Sequence, residues 1–269
     1  MKHEKVKILK NERVASDFYK MTIASPHLAK TSKPGQFIEV KCSAEFDPLL
    51  RRPFGIHRVI RNGIEMLYEV VGKGTKILSE KKPGKEIDIL GPLGNGFELT
   101  SNGNAIVVAG GIGVAPLFAA AEALIKKKNK VRIIIGAKKK SHIMGASEFK
   151  SLGCSVNVVT EDGSMGRKGL VTDILQDTLS RSTVHGSRST DHGPRSTIYA
   201  CGPTAMLKAV WNIALDNHIP CQLSFESYMA CGLGVCLGCP IKVRKGLIDF
   251  EYKMICKDGP VFNGQEIMW

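Results

Sequence analysis

No apolar run in the sequence reaches the roughly 18 residues that a membrane span requires. The first residues, Met1-Lys-His-Glu-Lys-Val-Lys-Ile-Leu, contain no apolar segment of the signal-peptide kind. The expected compartment is therefore the cytoplasm, and no membrane partner is expected. Aromatic residues are scarce, at 6%, and do not interleave with the lysines. A nucleic-acid surface built on stacked rings is thus not expected. Acidic residues are outnumbered, 25 against 38 Lys and Arg, which leaves a net charge of +13. Such an excess serves phosphate-bearing ligands or an acidic partner as readily as a polyanion. The densest runs, residues 126–128 with Lys130 and residues 138–140, flank a short apolar stretch and read as solvated ends of elements. The remaining composition is ordinary: 43% hydrophobic and 23% charged residues exclude a disordered chain, a collagen and a coiled coil. The 269 residues predict two or three modest domains.

Residues 1–98 read as β. Short apolar runs at 6–9, 19–23, 37–40, 56–60, 64–71 and 86–90 are separated by Pro34-Gly35, Asn62-Gly63, Pro83-Gly84 and Gly91-Pro92. Six strands with tight turns predict a small antiparallel barrel. Over residues 99–220 strands alternate with helices. Strands are expected at 104–109, 131–135, 155–159 and 197–200, and helices at 115–126, 147–152, 170–179 and 205–217. That alternation predicts a parallel sheet covered on both faces. Residues 182–197 read STVHGSR-STDHGPR-ST, a seven-residue unit repeated once with a third start. With no apolar face, this segment is expected as an exposed, mobile loop, and its histidines have no partners for a metal. Residues 221–269 are short, Cys-rich and Gly-rich, and too small to fold without a staple. The expected class is α+β multidomain: a six-stranded antiparallel β-barrel, a central α/β nucleotide domain and a small C-terminal domain.

Eight cysteines in a reducing compartment should not be disulfides. Cys42, Cys154, Cys201 and Cys221 are scattered, whereas Cys231-x4-Cys236-x2-Cys239 followed by Cys256 has the plant-type [2Fe-2S] spacing. Gly232, Gly234 and Gly238 lie between these ligands, where a side chain would obstruct the backbone. Cys236-x2-Cys239 alone also fits zinc, although a zinc ribbon would want a second C-x2-C. Three further motifs invite phosphates. Arg51-Arg52-Pro53-Phe54-Gly55-Ile56 opens a barrel strand, where a guanidinium suits a diphosphate; the alternative is a surface turn. Gly72-Lys73-Gly74-Thr75 opens a helix, with N–H groups and a hydroxyl available to phosphate. Val108-Ala109-Gly110-Gly111-Ile112-Gly113-Val114-Ala115-Pro116 is strand, turn and helix without G-x-G-x-x-G. It offers a dinucleotide crevice or simply a tight turn. Ala200-Cys201-Gly202-Pro203-Thr204 repeats that grammar, with Cys201 a cofactor contact or a small buried residue. Glu161 and Asp162 end a strand where acidic groups accept from ribose hydroxyls and repel a 2′-phosphate, favouring NADH. They also suit a plain turn into Gly163, and Arg167 and Lys168 are close in sequence.

In this order the motifs resemble the ferredoxin-reductase superfamily. The stretch Glu226-Ser-Tyr-Met-Ala-Cys-Gly-Leu-Gly-Val-Cys-Leu-Gly-Cys239, with Asp162-Gly163-Ser164 and Lys168-Gly169, is similar to electron-transfer subunits of dihydroorotate dehydrogenase B. The resemblance implies an FAD barrel (1–98), an NAD domain (99–220) and a [2Fe-2S] domain (221–269). It implies FAD contacts from Arg52, Pro53, Phe54, Gly55, Tyr68, Glu69, Val70, Gly74 and Thr75. NAD would meet Gly110, Gly111, Gly113, Cys201, Gly202 and Pro203, and Cys231, Cys236, Cys239 and Cys256 would hold the cluster. No catalytic acid or base is implied in this chain. The implied partner is an FMN-bearing TIM-barrel subunit that oxidises dihydroorotate in pyrimidine biosynthesis, in a heterotetramer of two subunits of each kind. Gly55 departs from the pattern, which usually places Ser or Thr near the flavin. The alternative is the small subunit of an NAD(P)-dependent ferredoxin reductase or sulfide dehydrogenase of the glutamate-synthase-associated type. That group resembles a three-cysteine, one-aspartate site, whereas here all four positions are Cys.

Overall fold

The computed structural model describes residues 1–184, 196–246 and 248–269. Contacts divide the chain into two units. One contains residues 1–97, 225–261 and 268, and the other residues 98–224, 262–267 and 269.

The first unit is built on a curled antiparallel sheet. Its strands are β1 (Lys2–Arg13), β2 (Phe18–Ala24), β3 (Phe37–Lys41), β4 (Arg52–Gly55), β5 (Arg58–Ile60), β6 (Gly63–Glu69) and β7 (Glu86–Leu93), in the order β4-β3-β7-β1-β2-β6-β5. Seven strands stand where six are expected, because the run at 56–60 is part of a corner. β4 pairs with β3 and β5 with β6. Between them Ile56 N–H donates to Gln36 O and His57 N–H to Glu65 O, so the chain changes partner there. β4 escaped the pattern because it carries Pro53 and two arginines and lies at an edge, where a missing N–H is tolerated. Alternation fills the interior with Val6, Ile8, Met21, Ile23, Ile38, Val40, Ile64, Met66, Ile87 and Ile89. Two short helices interrupt the β pattern, α1 (Pro26–Thr31) and α2 (Lys73–Ser79). Ser25 starts α1 by accepting from Leu28 N–H at 3.1 Å, ahead of a helix-compatible Pro26.

The second unit is a parallel sheet with helices. Its elements run β8 (Asn104–Gly110), α3 (Val114–Lys126), β9 (Lys130–Ala137), α4 (Ala146–Ser151), β10 (Ser155–Thr160), β11 (Arg167–Lys168), α5 (Val171–Val184), β12 (Ser196–Cys201), α6 (Thr204–Asp216) and β13 (Cys221–Ser224). The chain then returns to the first unit for a hairpin, β14 (Pro240–Lys245) and β15 (Asp249–Met254), before β16 (Val261–Asn263) joins the outer side of β13. The sheet order is β11-β10-β9-β8-β12-β13-β16, so the winding reverses between β8 and β12. α3 is buried along most of its length through Val114, Leu117, Phe118 and four alanines, which let it lie close to the sheet. The expected repeat loop falls chiefly on residues 185–195, outside the described residues. No helix among the described residues is long and apolar enough to cross a membrane.

Candidate functional site

Arg51 and Arg52 leave the chain for different destinations. Arg51 Nη2 lies 2.6 Å from Asp88 Oδ1, and Nη1 donates to Asp88 O at 3.2 Å. His3 Nε2 lies 2.8 Å from the same carboxylate oxygen. Burial alone would raise the Asp88 carboxyl, but the hydrogen bonds from Arg51 and then His3 hold it below the ordinary aspartate value. Arg51 is thereby tied to β7. Arg52 Nη1 donates to the Leu50 and Arg51 carbonyls at 2.7 and 3.2 Å. Its Nε and Cγ lie 3.4 and 3.6 Å from where a Cβ on Gly74 would stand. The expected pair Arg52 and Gly74 therefore meets at the first turn of α2. Thr75 behaves differently from its expected role as a free donor. Its hydroxyl accepts from Val71 and Gly72 N–H at 3.0 and 3.2 Å and donates to Gly72 O, which caps its own helix.

β4 sets Pro53, Phe54 and Gly55 opposite Glu39, Ile38 and Phe37 of β3. The Phe54 ring meets Tyr68 edge-on at 5.6 Å, and Tyr68 stacks on Tyr19 at 5.8 Å. Tyr68 donates its hydroxyl to Asn11 Oδ1 at 3.0 Å, and burial pushes the phenol up. Asn11 Nδ2 in turn donates to the Leu78 and Lys81 carbonyls, both at 2.9 Å, and so closes the end of α2. Asn11 and Tyr19 lie in no motif, since a polar residue in a charged strand gives no local signal. Glu69 ends β6 opposite Phe18, and Val70 N–H donates to Asp17 O at 2.7 Å.

In the second unit the two glycine turns meet. Gly110 ends β8 and Cys201 ends its parallel neighbour β12, where the winding reverses. Strand ends at such a point frame a crevice for nucleotides. A Cβ on Gly113 would lie 2.4 Å from Cys201 O and 2.7 Å from Gly202 N. One on Gly110 would lie 2.5 Å from Met206 Sδ and 2.9 Å from Pro203 Cδ. One on Gly202, at φ +155°, would lie 2.7 Å from Met206 Cε. These three glycines pack turn against turn. Gly111, at φ +55°, faces open space and leaves its backbone free to approach a ligand. Cys201 is buried. At the end of β10, Asp162 Oδ1 accepts from Ser164 N and Oγ at 2.9 and 2.6 Å, so Asp162 forms the turn. Glu161 remains the candidate for contact with ribose.

Cys256 comes from the end of hairpin strand β15, after the chain has left and returned. Cys239 and Cys256 are buried, Cys231 is half-buried and Cys236 is exposed. The Cys231 thiol interacts with Cys236, and the Cys256 thiol with Cys239 first and Cys231 second. Backbone N–H groups already point at sulfur. Leu233 N lies 3.3 Å from Cys231 Sγ, Gly234 N 3.1 Å from Cys256 Sγ and Cys256 N 3.5 Å from Cys239 Sγ. Gly232 and Gly234, at φ +69° and +77°, turn the backbone to allow this. Burial would raise the Cys231 thiol, but N–H groups of Cys236 and Leu233 and the Cys236 thiol hold it down at about 6. Burial, then Cys239, pushes Cys256 up to about 12. Among the described residues no three His, Cys, Asp or Glu side chains converge on one ion. Four free thiols with backbone N–H groups aimed at three of the sulfurs suit a [2Fe-2S] cluster, whose sulfurs take such hydrogen bonds. Beneath the loop lies Glu39. Burial pushes its carboxyl up to about 7 against Arg51, with Cys231 adding and Arg52 opposing.

These features define an electron-transfer protein of the ferredoxin-reductase type. The NADH-dependent reduced ferredoxin-NADP oxidoreductase, solved in a study of flavin-based electron bifurcation, superposes with a TM-score of 0.82 at 34% identity, over 98% of this chain and 90% of that one. A ferredoxin NADP+ reductase from Neisseria gonorrhoeae, solved with FAD and NADP, shares the fold at a TM-score of 0.66 and 17% identity, over 80% and 92% of the two chains. Residues 226–268 match the iron-sulfur cluster binding domain of dihydroorotate dehydrogenase B, and residues 107–212 the oxidoreductase NAD-binding domain. The electron transfer subunit of dihydroorotate dehydrogenase B (NAD(+)) from Caldanaerobacter subterraneus subsp. tengcongensis is 39% identical, over 98% of both chains. That from Geobacillus sp. is 37% identical, over 100% of this chain and 99% of the relative. The chain belongs to the family of electron-transfer subunits of dihydroorotate dehydrogenase B.

Proposed function

We propose that this chain carries electrons from a dihydroorotate-oxidising FMN subunit to NAD+, in pyrimidine biosynthesis in the cytoplasm. Residues 1–98 would bind FAD, 99–220 NAD and 221–269 a [2Fe-2S] cluster. Bound FAD would join a two-electron hydride carrier to a one-electron cluster, since flavin exchanges electrons singly or in pairs. The chain's own residues position these groups. Arg52 offers its guanidinium to the diphosphate, while Phe54 and Tyr68 form an aromatic wall. Gly111 admits the nucleotide beside Cys201 and Pro203. The four cysteines hold the cluster, and exposed Cys236 marks the side from which a partner's electron arrives.

The observation that carries this reading is the all-cysteine set, Cys231, Cys236 and Cys239 of one loop with Cys256, on a ferredoxin-reductase fold. The likeness to the NADH-dependent reduced ferredoxin-NADP oxidoreductase supports a second reading, a ferredoxin reductase subunit. Four cysteines favour the first. Tyr228, Val235 and Leu237 in the loop, and Ile248 and Tyr252 on the hairpin that follows it, expose apolar side chains suited to a protein partner. We infer an assembly of two such chains with two catalytic subunits. Co-expression with an FMN-bearing TIM-barrel dihydroorotate dehydrogenase tests it. A 2:2 complex that reduces NAD+ with dihydroorotate is expected. Failure to associate, or NADPH-driven ferredoxin reduction without dihydroorotate activity, would support the second reading instead.

A further inference from the structure

Strand β3 carries one acid among apolar residues, Phe37-Ile38-Glu39-Val40. Ile38 and Val40 enter the barrel core. Glu39 lies on the opposite face, where alternation would put it in water. Instead it is 0% exposed, and neither carboxyl oxygen has a hydrogen-bond partner among the described residues. Its cover is the cysteine loop. A Cβ on Gly232 would stand 2.7 Å from Glu39 Cγ, 3.0 Å from Oε1 and 3.3 Å from Cδ. Two residues on, a Cβ on Gly234 would stand 2.7 to 3.3 Å from the aliphatic stem of Lys257. The turn that carries N–H groups to the cysteine sulfurs is therefore gripped between a buried carboxyl and a lysine stem.

A buried polar group without a partner is costly, and an apolar residue of similar size would pack there at less expense. We propose that Glu39 is a positioning residue for the cluster. Through Gly232 it sets the turn between Cys231 and Cys236, and with it the direction of the N–H groups of Leu233 and Gly234. Hydrogen bonds to cluster sulfurs tune reduction potential, so a barrel strand thereby acts on the electron carrier. The inference rests on reading the four cysteines as cluster ligands.

The test uses the complex with its catalytic subunit as wild type, Glu39→Gln and Glu39→Leu. Iron content, visible circular dichroism and an EPR-monitored midpoint titration are read for each. Glu39→Gln keeps the planar end and the stem that meet Gly232 and should stay near wild type. Glu39→Leu should melt no earlier than wild type, yet alter the dichroism and shift the cluster's reduction equilibrium roughly tenfold. Where Leu disturbs folding, Glu39→Ala is read by the same measurements. An apolar variant with a wild-type spectrum and potential overturns the role of Glu39, as does a Gln variant displaced as far as Leu. A wild-type complex without a [2Fe-2S] signal removes the ligand reading itself, a distinguishable result.

Discussion

Arg51 and Arg52 are adjacent and chemically alike, and only their surroundings separate them. Arg51 is half of an ion pair with Asp88, with side chains 23% and 22% exposed, so solvent screens the pair and about 1 kcal/mol is a reasonable worth. The Asp88 carboxyl sits below its ordinary value of 3.8 in the folded chain. Its stabilising contribution is therefore complete above that value and disappears as pH falls through the lower folded one. Urea melts of Asp88→Asn should show a loss at neutral pH that shrinks once the pH drops below about 4. A loss that persists undiminished in acid would contradict the charge argument. Arg52→Ala should melt near wild type but retain less FAD, by about 2 kcal/mol of binding for a charge-assisted contact. The flavin-to-protein ratio after gel filtration measures this. The motif Arg-Arg-Pro-Phe-Gly was legible in the sequence, and the resemblance singled out Arg52; the tie of Arg51 to Asp88 was not legible, because the two lie 37 residues apart.

The glycine turns show the same contrast at the scale of elements. The sequence reads Gly110, Gly111 and Gly113 as one motif, yet the structure assigns them separate duties. Gly113→Ala drives a Cβ into the Cys201 carbonyl at 2.4 Å, backbone against backbone, and should cost about 3 kcal/mol. Gly111→Ala meets nothing and pays only for its left-handed φ, about 1 kcal/mol. Its larger effect should be on nucleotide binding, seen as a raised KM for NADH with the flavin still bound. A Gly111→Ala enzyme with unchanged KM would show that the ligand does not pass this turn. The turn after β10 divides likewise. Asp162 is engaged with Ser164, which leaves Glu161 as the candidate selector of the nucleotide. Flavin reduction should have a higher kcat/KM with NADH than with NADPH. Glu161→Arg should narrow that preference while Asp162→Ser leaves it. Equal or better use of NADPH by wild type would refute the assignment. Helices α3, α5 and α6 and the strands beside them were legible from period and turn residues. β4, β11, β13 and β16 were not, because strands of two to four residues carry too little pattern, and the six-residue β14 and β15, both mostly exposed, were missed as well.

At the scale of the molecule, the cysteine loop belongs by contact to the same unit as the barrel. The barrel and the nucleotide sheet each have a core of their own, whereas the loop around Cys231 has little apolar packing and depends on its metal. Cys231→Ser, Cys236→Ser or Cys239→Ser should therefore lose the cluster absorbance and weaken binding of the catalytic subunit. Reduction of bound FAD by NADH should survive in each. Three variants with full cluster spectra would reject the ligand set, and loss of NADH-driven flavin reduction would show that the units are not independent.

Spacing along the chain was enough to pick out the four cysteines, the glycine turns, the β-to-α/β change near residue 99 and the family they resemble. Each is a local property: turn glycines answer to φ and ψ, period to strand or helix, and three of the cysteines to one loop. Only the tertiary structure decided which groups meet across long stretches of chain. It pairs Cys239 with Cys256, presses Gly113 on Cys201, ties Arg51 to Asp88 and hides Glu39 under Gly232. In sequence, Glu39 is an ordinary acid on the outward face of a strand. It is buried because the chain returns nearly 200 residues later to lay a loop across that face, and no pattern local to β3 encodes that return.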